Sequence, residues 1–204
     1  MDDYVNLIAA VIARGVENSA SIAAARRLMR HFGSVQGLAH ASKEEICTAG
    51  KISGKQALAL ELALELGKAV CSDPLRAGER FSNSQDLYQR YRARFFTARR
   101  EYFFSLQLNS KNQLIREVLV SVGSLNVSVV HPREVFSFAV RDSTSAIVLL
   151  HNHPSGDPSP SREDHDCTNR LAQSGKILGI RVLDHIVIGH DTYYSFADAG
   201  QLQE

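Results

Sequence analysis

The sequence predicts an α+β protein, in which a small all-α domain precedes a domain with a mixed sheet and helices on its faces. Two observations carry this prediction. Residues 5–70 contain Ala-rich and Leu-rich segments with helical spacing and no alternating strand pattern. From residue 101 onward, β-branched and aromatic runs alternate with helical segments, without the strict repetition of parallel βαβ units. A mixed sheet is therefore the expected centre of the second part.

The N-terminal part, residues 1–75, is predicted to be a helical domain. Five helices are expected, over residues 7–13, 21–32, 34–40, 42–49 and 54–70. Ser21, Ser34 and Ser42 are expected to be N-caps, because a serine hydroxyl can accept a hydrogen bond from the first helical turn. Gly33 and Gly50 are expected at helix ends, because glycine readily adopts the left-handed conformation found there.

The turn between the last two helices has features of a nucleic-acid contact. It reads Gly50-Lys51-Ile52-Ser53-Gly54, and Lys55 follows it. Small residues in such a turn let backbone N–H groups approach a phosphate. The stretch resembles the hairpin of helix-hairpin-helix domains, which contact the nucleic-acid backbone without reading sequence, although it departs from their Gly-hydrophobic-Gly core. Lys51 and Lys55 are therefore candidate DNA contacts, and a helical hairpin used for protein contact is the alternative.

Residues 76–100 are predicted to form a basic linker and a helix between the two domains. The chain turns polar over residues 71–80, which indicates a boundary. A helix is expected to start at Ser84. The arginines of this helix and of the residues after it are Arg90, Arg92, Arg94, Arg99 and Arg100. They form either a surface that binds phosphate or an acidic partner, or a solvated helix face.

The second domain, residues 101–204, is predicted to open with a β-hairpin. A strand over 102–108 is followed by a turn and a return strand from Gln113, with further β-rich runs at 118–120 and 127–130. A helix with Pro132 at its first position should run to Arg141. The remaining expected elements are a strand over 146–153, a helix over 161–173, strands over 180–183 and 185–188, and a short strand before Phe196.

One stretch of this domain predicts a metal site. His151 and His153 end a buried apolar strand, where alternate side chains share a face, so both imidazoles can grip one ion. After a turn-rich loop, Ser161 is expected to cap a helix and to place Asp164 in its first turn as a third ligand. Two histidines and one carboxylate leave a fourth position open, as in catalytic zinc sites. Alternatively, Asp164 only closes a capping box with Ser161.

The spacing of these residues resembles the JAMM (MPN+) metalloprotease signature, His-x-His-Pro followed by Ser-x-x-Asp. The sequence around this signature is similar to that of the RadC family, long labelled a DNA repair protein. The similar stretches are His151-Asn152-His153-Pro154-Ser155-Gly156 and Val182-Leu183-Asp184-His185-Ile186-Val187-Ile188-Gly189. The resemblance is strong from near Arg99 to Gly200. It implies a JAMM/MPN (cytidine-deaminase-like) α/β fold for residues 101–204, one Zn²⁺ per chain, and hydrolysis of peptide or isopeptide bonds.

The same resemblance suggests roles for residues around the metal. By this resemblance, Glu101 occupies the place of the general base and Ser161 would stabilise the oxyanion. Alternatively, Glu101 forms an ion pair with a neighbouring arginine, and Glu117, just ahead of Val118, is a second candidate base. Asp184 and His185 either support the metal ligands or close a turn between two strands. Cys167 is expected to be a small buried hydrophobe rather than a neighbour of the metal.

Composition sets outer limits on the function. The formal net charge of +1 gives the whole molecule no strong electrostatic preference for a partner. Three scattered cysteines are no disulfide framework and indicate a reducing compartment. The acidic start, Met1-Asp2-Asp3, is unlike a signal peptide, and no run of about 18 apolar residues would span a membrane. A cytoplasmic protein without membrane contact is expected, and its oligomeric state is open.

Three functions therefore compete. The first is a zinc-dependent hydrolase with His151, His153 and Asp164 as ligands. The second is a DNA-associated accessory or nuclease-type factor, in which the helical domain binds nucleic acid and the metal is structural or auxiliary. The third is a binding module that keeps the metal for stability alone.

Overall fold

The structure is a computed structural model that describes residues 2–15, 17–71, 75–96, 98–123 and 130–202, without the side chains of Asp2 and Cys71. The chain forms two compact units, Met1–Asp73 and Pro74–Glu204. Helices fill the first unit, and the second combines helices with a five-stranded sheet. The predicted α+β class, with a helical part before a mixed sheet, is confirmed. Every helix of the described ranges is too short or too polar to cross a membrane.

In the described part of the first unit, five helices surround one apolar core. They are α1 (Asp2–Ile12), α2 (Ser19–Phe32), α3 (Val35–Ala39), α4 (Lys43–Gly50) and α5 (Gly54–Cys71). Leu28, Leu38 and Ile46 have no exposed surface and meet at the centre of this core. The apolar residues that recur with helical spacing in the sequence therefore form the buried faces of these helices.

Two helix ends of the first unit differ from the sequence prediction. Asn18, not Ser21, caps α2, and the Ser21 hydroxyl accepts a hydrogen bond from the Asn18 N–H in a capping box. At the end of α4, Lys51 adopts the left-handed conformation (φ 51°) expected of Gly50. Gly50 is the last residue of α4. A Cβ there would lie 3.2 Å from a methyl group of Leu28, so the missing side chain lets α4 approach α2 closely. Ser34 and Ser42 cap α3 and α4 as predicted.

The second unit is a mixed sheet with helices on both faces. Its elements are α6 (Ser84–Phe95), β1 (Glu101–Leu108), β2 (Leu114–Gly123), α7 (Pro132–Arg141), β3 (Ala146–Asn152), α8 (Arg162–Leu178), β4 (Arg181–Ile188) and β5 (Tyr193–Ser195). The strand order is β2-β1-β3-β4-β5. Only β3 and β4 are parallel, because α8 carries the chain back between them.

Alternation along the strands divides the core of the second unit into two clusters. On one face, Tyr91 and Phe95 of α6 pack on Phe104 of β1. On the other face, Phe103 of β1 packs with residues from α7, β3 and α8. The helix predicted within residues 76–100 is thus part of the core of the second unit. Its buried side chains anchor it to the sheet.

One arginine of the basic segment is committed to this packing. The Arg94 guanidinium lies 2.7 Å from the Glu117 carboxylate and 4.6 Å from the centre of the Phe104 ring. The Tyr91 hydroxyl donates to the same carboxylate at 2.5 Å. Arg94 therefore has a structural role, whereas Arg92, Arg99 and Arg100 are exposed.

Three predicted element bounds are wrong in the second unit. The return strand and the β-rich run at 118–120 are one strand, β2, which two register shifts interrupt. The strands expected at 180–183 and 185–188 are likewise one strand, β4. Helix α8 runs five residues beyond the expected end at 173, to Leu178, and Gly179 caps it in the left-handed conformation. The run expected at 127–130 lies almost entirely outside the described residues.

Candidate metal centre

The central strand β3 delivers both histidines to one edge of the sheet. Every residue of β3 is buried, and His151 has no exposed surface. The strand then leaves the sheet: the His153 N–H still donates to the Ile188 carbonyl (3.0 Å), and the Gly156 N–H turns back to the His153 carbonyl (3.0 Å). Because alternate residues of a strand share a face, the two imidazoles point the same way.

Three side chains converge at this edge. The Nε2 atoms of His151 and His153 lie 3.1 Å apart. The Asp164 oxygens lie 3.2 Å from Nε2 of His151 and 3.5 Å from Nε2 of His153. Ligands around a tetrahedral ion bound at about 2.0–2.1 Å are separated by about 3.3 Å. The donor set and its spacing therefore fit one metal ion, and these residues are the group of the described chain able to hold one.

The hydrogen on His153 is directed away from this point. Nδ1 of His153 lies 2.8 Å from the Asp157 carbonyl oxygen. A carbonyl can only accept, so Nδ1 must carry a hydrogen. In the neutral ring, Nε2 then presents its lone pair toward Asp164. The turn-rich loop thus selects the tautomer of His153 that could bind a metal ion through Nε2.

A longer chain of hydrogen bonds fixes the tautomer of His151. The Thr168 hydroxyl donates to the Asp164 carbonyl oxygen (2.6 Å), so it must accept from Nδ1–H of His185 (2.6 Å). Nε2 of His185 is then an acceptor for Nδ1–H of His151 (2.9 Å). Nε2 of His151 is left with a lone pair, and two lone pairs and a carboxylate face one another without a hydrogen between them.

The pKa values of the three converging side chains reflect the same arrangement. Burial lowers the pKa of His151 despite the nearby Asp164. The pKa of His153 is raised, first because its ring, once protonated at Nε2, can donate a hydrogen bond to Asp164. Burial acts to raise the pKa of Asp164, but the hydrogen bonds that Ser161 and the protonated rings of His151 and His153 can donate outweigh it and hold that pKa well below its usual range. Without metal, a proton on His153 can therefore compensate the carboxylate, and a metal ion must displace it.

Ser161 is the N-cap of α8, as predicted. Its backbone N–H and its hydroxyl both donate to Asp164 Oδ2 at 2.7 Å, and its hydroxyl accepts from the Asp164 N–H at 3.2 Å. Asp164 is thus both the capping-box acid and a member of the converging group. The role of Ser161 toward an oxyanion stays a prediction and requires its hydroxyl to turn away from Asp164.

Glu101 begins β1 on the metal side of the sheet. It is two residues from Phe103, whose ring stacks on that of His151 with centroids 5.9 Å apart, so Glu101 and Phe103 share a face. Its charge adds to the raised pKa of His153, after the hydrogen bond to Asp164 and other larger effects. Glu117 lies on the opposite face, bound to Tyr91 and Arg94.

His185 and Asp184 hold different parts of this edge. His185 contacts the ligand His151 directly. The Asp184 carboxylate instead accepts from the His185 N–H (2.7 Å), the Ser195 hydroxyl (2.7 Å) and the Ala197 N–H (3.0 Å). Asp184 therefore fastens the corner after β5 and acts on the site only through the position of His185.

Sequence analysis missed three contributors to the site. Thr168 lies one helical turn after Asp164, a spacing that could have singled it out. Asn152 was passed over between the two histidines. Gly156 (φ +87°) leaves room for the His190 ring, since a Cβ there would lie 2.3 Å from Nδ1 of that ring. Cys167 is buried, and burial raises the pKa of its thiol to about 11, which makes it an unreactive core residue.

The candidate DNA contacts lie in the first unit. Lys51 and Lys55 are exposed on either side of the α4–α5 turn. The Ser53 N–H donates to the Gln56 side chain (3.0 Å), and the Gln56 N–H donates to the Ser53 hydroxyl (3.4 Å). Two donors at the start of α5 are thus satisfied within the turn, and DNA contact there stays a prediction.

Comparison with known proteins decides the family. A family model described as a RadC-like JAB domain matches residues 81–201, more than half of the chain. The chain belongs to the RadC family. The match spans every element from β1 to β5 and includes the three converging side chains, so the RadC resemblance of the sequence is confirmed.

Relatives of this RadC chain resemble it over both units. A UPF0758 protein of Geotalea uraniireducens is 42% identical over 96% of this chain and 87% of its own. One from Geobacter sulfurreducens is 44% identical over the same shares. A third, from Syntrophotalea carbinolica, is 45% identical over 87% of this chain and 78% of its own. JAB domains are commonly hydrolytic, and this RadC domain has a group of side chains able to hold a metal ion.

Proposed function

We propose that the chain is a metal-dependent hydrolase of the metallopeptidase or isopeptidase type, with one Zn²⁺ held by His151, His153 and Asp164. One observation carries the proposal: hydrogen bonds turn the lone pairs of two Nε2 atoms toward a buried carboxylate at metal-ligand spacing. Such an arrangement is repulsive unless a cation or a proton compensates it. Membership of a commonly hydrolytic domain family supports the same function.

The residues around the ligands suit hydrolysis of an amide. A bound zinc ion would act as a Lewis acid and lower the pKa of a water molecule. Glu101, on the same face as the ligands, would accept a proton at its carboxylate and pass it to the leaving nitrogen. Ser161 would donate its hydroxyl to a developing oxyanion after leaving Asp164. Burial of His151 and Asp164 keeps competing water away from the ligands.

Metal content is the first test of this proposal. Purified wild-type protein is expected to contain one zinc ion per chain, and His153→Ala is expected to lose it, because Nε2 of His153 is one of only three protein ligands. His31→Ala, an exposed histidine in the first unit, is the matched control and should keep its zinc. If wild-type protein neither contains zinc nor takes it up on addition, the hydrolase proposal fails.

Substrate screening then separates a hydrolase from a protein that keeps metal for stability. Peptide and isopeptide substrates should be cleaved by wild type, whereas Glu101→Gln should retain zinc and lose cleavage. Loss of a general base commonly costs about 10²- to 10⁴-fold in rate. Equal activity of wild type and Glu101→Gln would exclude Glu101 as the base.

A further inference from the structure

Asn152 stands between the two histidine ligands and faces away from them. Its side chain is 2% exposed, and both ends of its amide are hydrogen bonded. Oδ1 accepts from the Tyr102 N–H at 2.8 Å, and Nδ2 donates to the Arg100 carbonyl at 3.0 Å. The two backbone groups that it binds belong to the residues immediately before and after Glu101.

The strands diverge at the point where Asn152 acts. Pairing between β1 and β3 ends at Phe103 and His151. Yet β3 remains paired with β4 through Asn152, and β1 remains paired with β2 through Glu101. The Asn152 amide thus bridges β1 and β3 where their backbone ladder has ended. At this end of the sheet, the Asn152 side chain therefore spans the gap between the two strands.

We propose that Asn152 is a positioning residue that sets the place of the Glu101 carboxylate relative to the metal ligands. The inference rests on the proposed function. An amide oxygen only accepts and an amide nitrogen only donates, so each end of the Asn152 side chain fits one backbone group of β1 or of the residue just before it. The two contacts together fix the backbone on both sides of Glu101 relative to β3. Because Asn152 is neutral and touches no ligand side chain in these contacts, its loss should spare metal binding and release Glu101.

Cobalt(II) provides a reporter that needs no substrate. The pH at which the visible spectrum of the cobalt-loaded protein changes reports deprotonation of water at the ion. A carboxylate nearby disfavours that deprotonation, so Glu101→Gln should lower the midpoint, by about one pH unit. Asn152→Ala should lower it by a similar amount while binding cobalt within about threefold of wild type.

A double-variant cycle distinguishes positioning from mere stabilisation. If Asn152 acts through Glu101, Glu101→Gln should have little further effect once Asn152→Ala is present. Leu150→Ala, two residues earlier on the same face of β3, is the control: it should lower the Tm and leave the midpoint unchanged. Asn152→Leu, which keeps the volume of the side chain and removes both hydrogen bonds, serves if Asn152→Ala does not fold.

Each outcome decides the proposal. It is overturned if Asn152 variants keep the wild-type midpoint and Glu101→Gln shifts the midpoint equally in both backgrounds. A wild-type protein that binds cobalt but shows no effect of Glu101→Gln would overturn both this inference and the assignment of Glu101 as base, while leaving the metal site intact. Failure of wild-type protein to bind cobalt would overturn the proposed function itself.

Discussion

At the residue scale, hydrogen positions decide which nitrogen of each histidine meets the third ligand. The Asp157 carbonyl orients His153, and the chain through His185 and Thr168 orients His151. This chain returns to the backbone of Asp164, so two of the three ligands are tied together. The acceptor next to His151 is a neutral imidazole, where many metal-binding histidines have a carboxylate. The hydrogen-bond chain behind His151 therefore adds no negative charge to that of Asp164.

The first prediction tests this hydrogen-bond chain at Thr168. Thr168→Val keeps the shape of the side chain but removes the acceptor for His185, so His185 and His151 are no longer held in the metal-binding tautomers. Zinc affinity is expected to fall about 10- to 100-fold, as measured by competition with a chelator. Thr48→Val is the control, because the Thr48 hydroxyl makes the same bond to a carbonyl four residues earlier (Glu44, 2.9 Å) in the other unit. Equal loss in both variants would contradict the explanation.

A second residue-scale prediction concerns pH. Burial holds the pKa of His185 well below 6.5 in the folded protein, whereas in the unfolded chain it is near 6.5. Below that pH the unfolded state binds a proton that the folded state does not. The contribution of His185 to the unfolding free energy therefore falls by up to about 1.4 kcal/mol per pH unit as pH decreases.

His185→Phe isolates this effect, because His185 packs between the rings of Phe103 and Phe196 and a phenyl ring can take its place. Between pH 6.5 and 5.5, the stability of the variant relative to wild type should improve by about 1 kcal/mol. Urea unfolding with chelator present measures both proteins. Parallel pH profiles would show that His185 does not titrate in this way.

At the element scale, the site depends on how the loop after β3 packs on the turn after β4. The His190 N–H donates to the Gly156 carbonyl (3.0 Å), and the Gly189 N–H donates to the Thr192 carbonyl (2.9 Å). A Cβ on Gly189 would lie 2.4 Å from the Gly156 carbonyl oxygen, so two glycines permit this close approach. The same loop carries Asp157, which orients His153. Loop packing and ligand orientation are therefore coupled.

A substitution at Gly156 tests this coupling. Gly156→Ala strains the backbone and drives a methyl group into the His190 ring, so the loop must move and zinc affinity should fall along with stability. Gly200→Ala is the matched control: Gly200 also has positive φ (+69°), but nothing lies within 4 Å of an added Cβ. It should cost about 1 kcal/mol of stability and leave zinc affinity unchanged. Chelator competition and thermal unfolding separate the two effects.

The sequence predicts those parts of the site that depend on local patterns, such as strand alternation and helix capping. His151, His153 and Asp164 were accessible because strand alternation and the first helical turn are local patterns. The contacts of Asn152 were not, because they depend on which strand lies beside β3. The polar pair Asp184-His185 suggested a break in β4. Both residues are instead buried, and their partners lie on β3, on α8, at the end of β5 and just after it. Local patterns thus locate the ligands, and tertiary pairing supplies their support.

At the scale of the whole molecule, the proposed chemistry resides in one unit. All three ligands, Glu101 and Asn152 lie within Pro74–Glu204. A fragment of these residues is therefore expected to fold and to bind zinc with the affinity of the full chain, measured by chelator competition. The fragment Met1–Asp73 is the control and should bind none. A large loss of affinity in the longer fragment would show that the helical unit contributes to the site.

The three ligands come from one short stretch, from the end of β3 to the first turn of α8, whereas Glu101 comes from a strand far upstream. Contacts between residues close in sequence form with less loop-closure entropy and tend to form early in folding. His153 and Asp164 therefore meet through contacts of short sequence separation, whereas the place of Glu101 depends on the longer-range pairing of β1 with β3. Metal binding and the proposed hydrolysis would therefore depend on contacts of different sequence range.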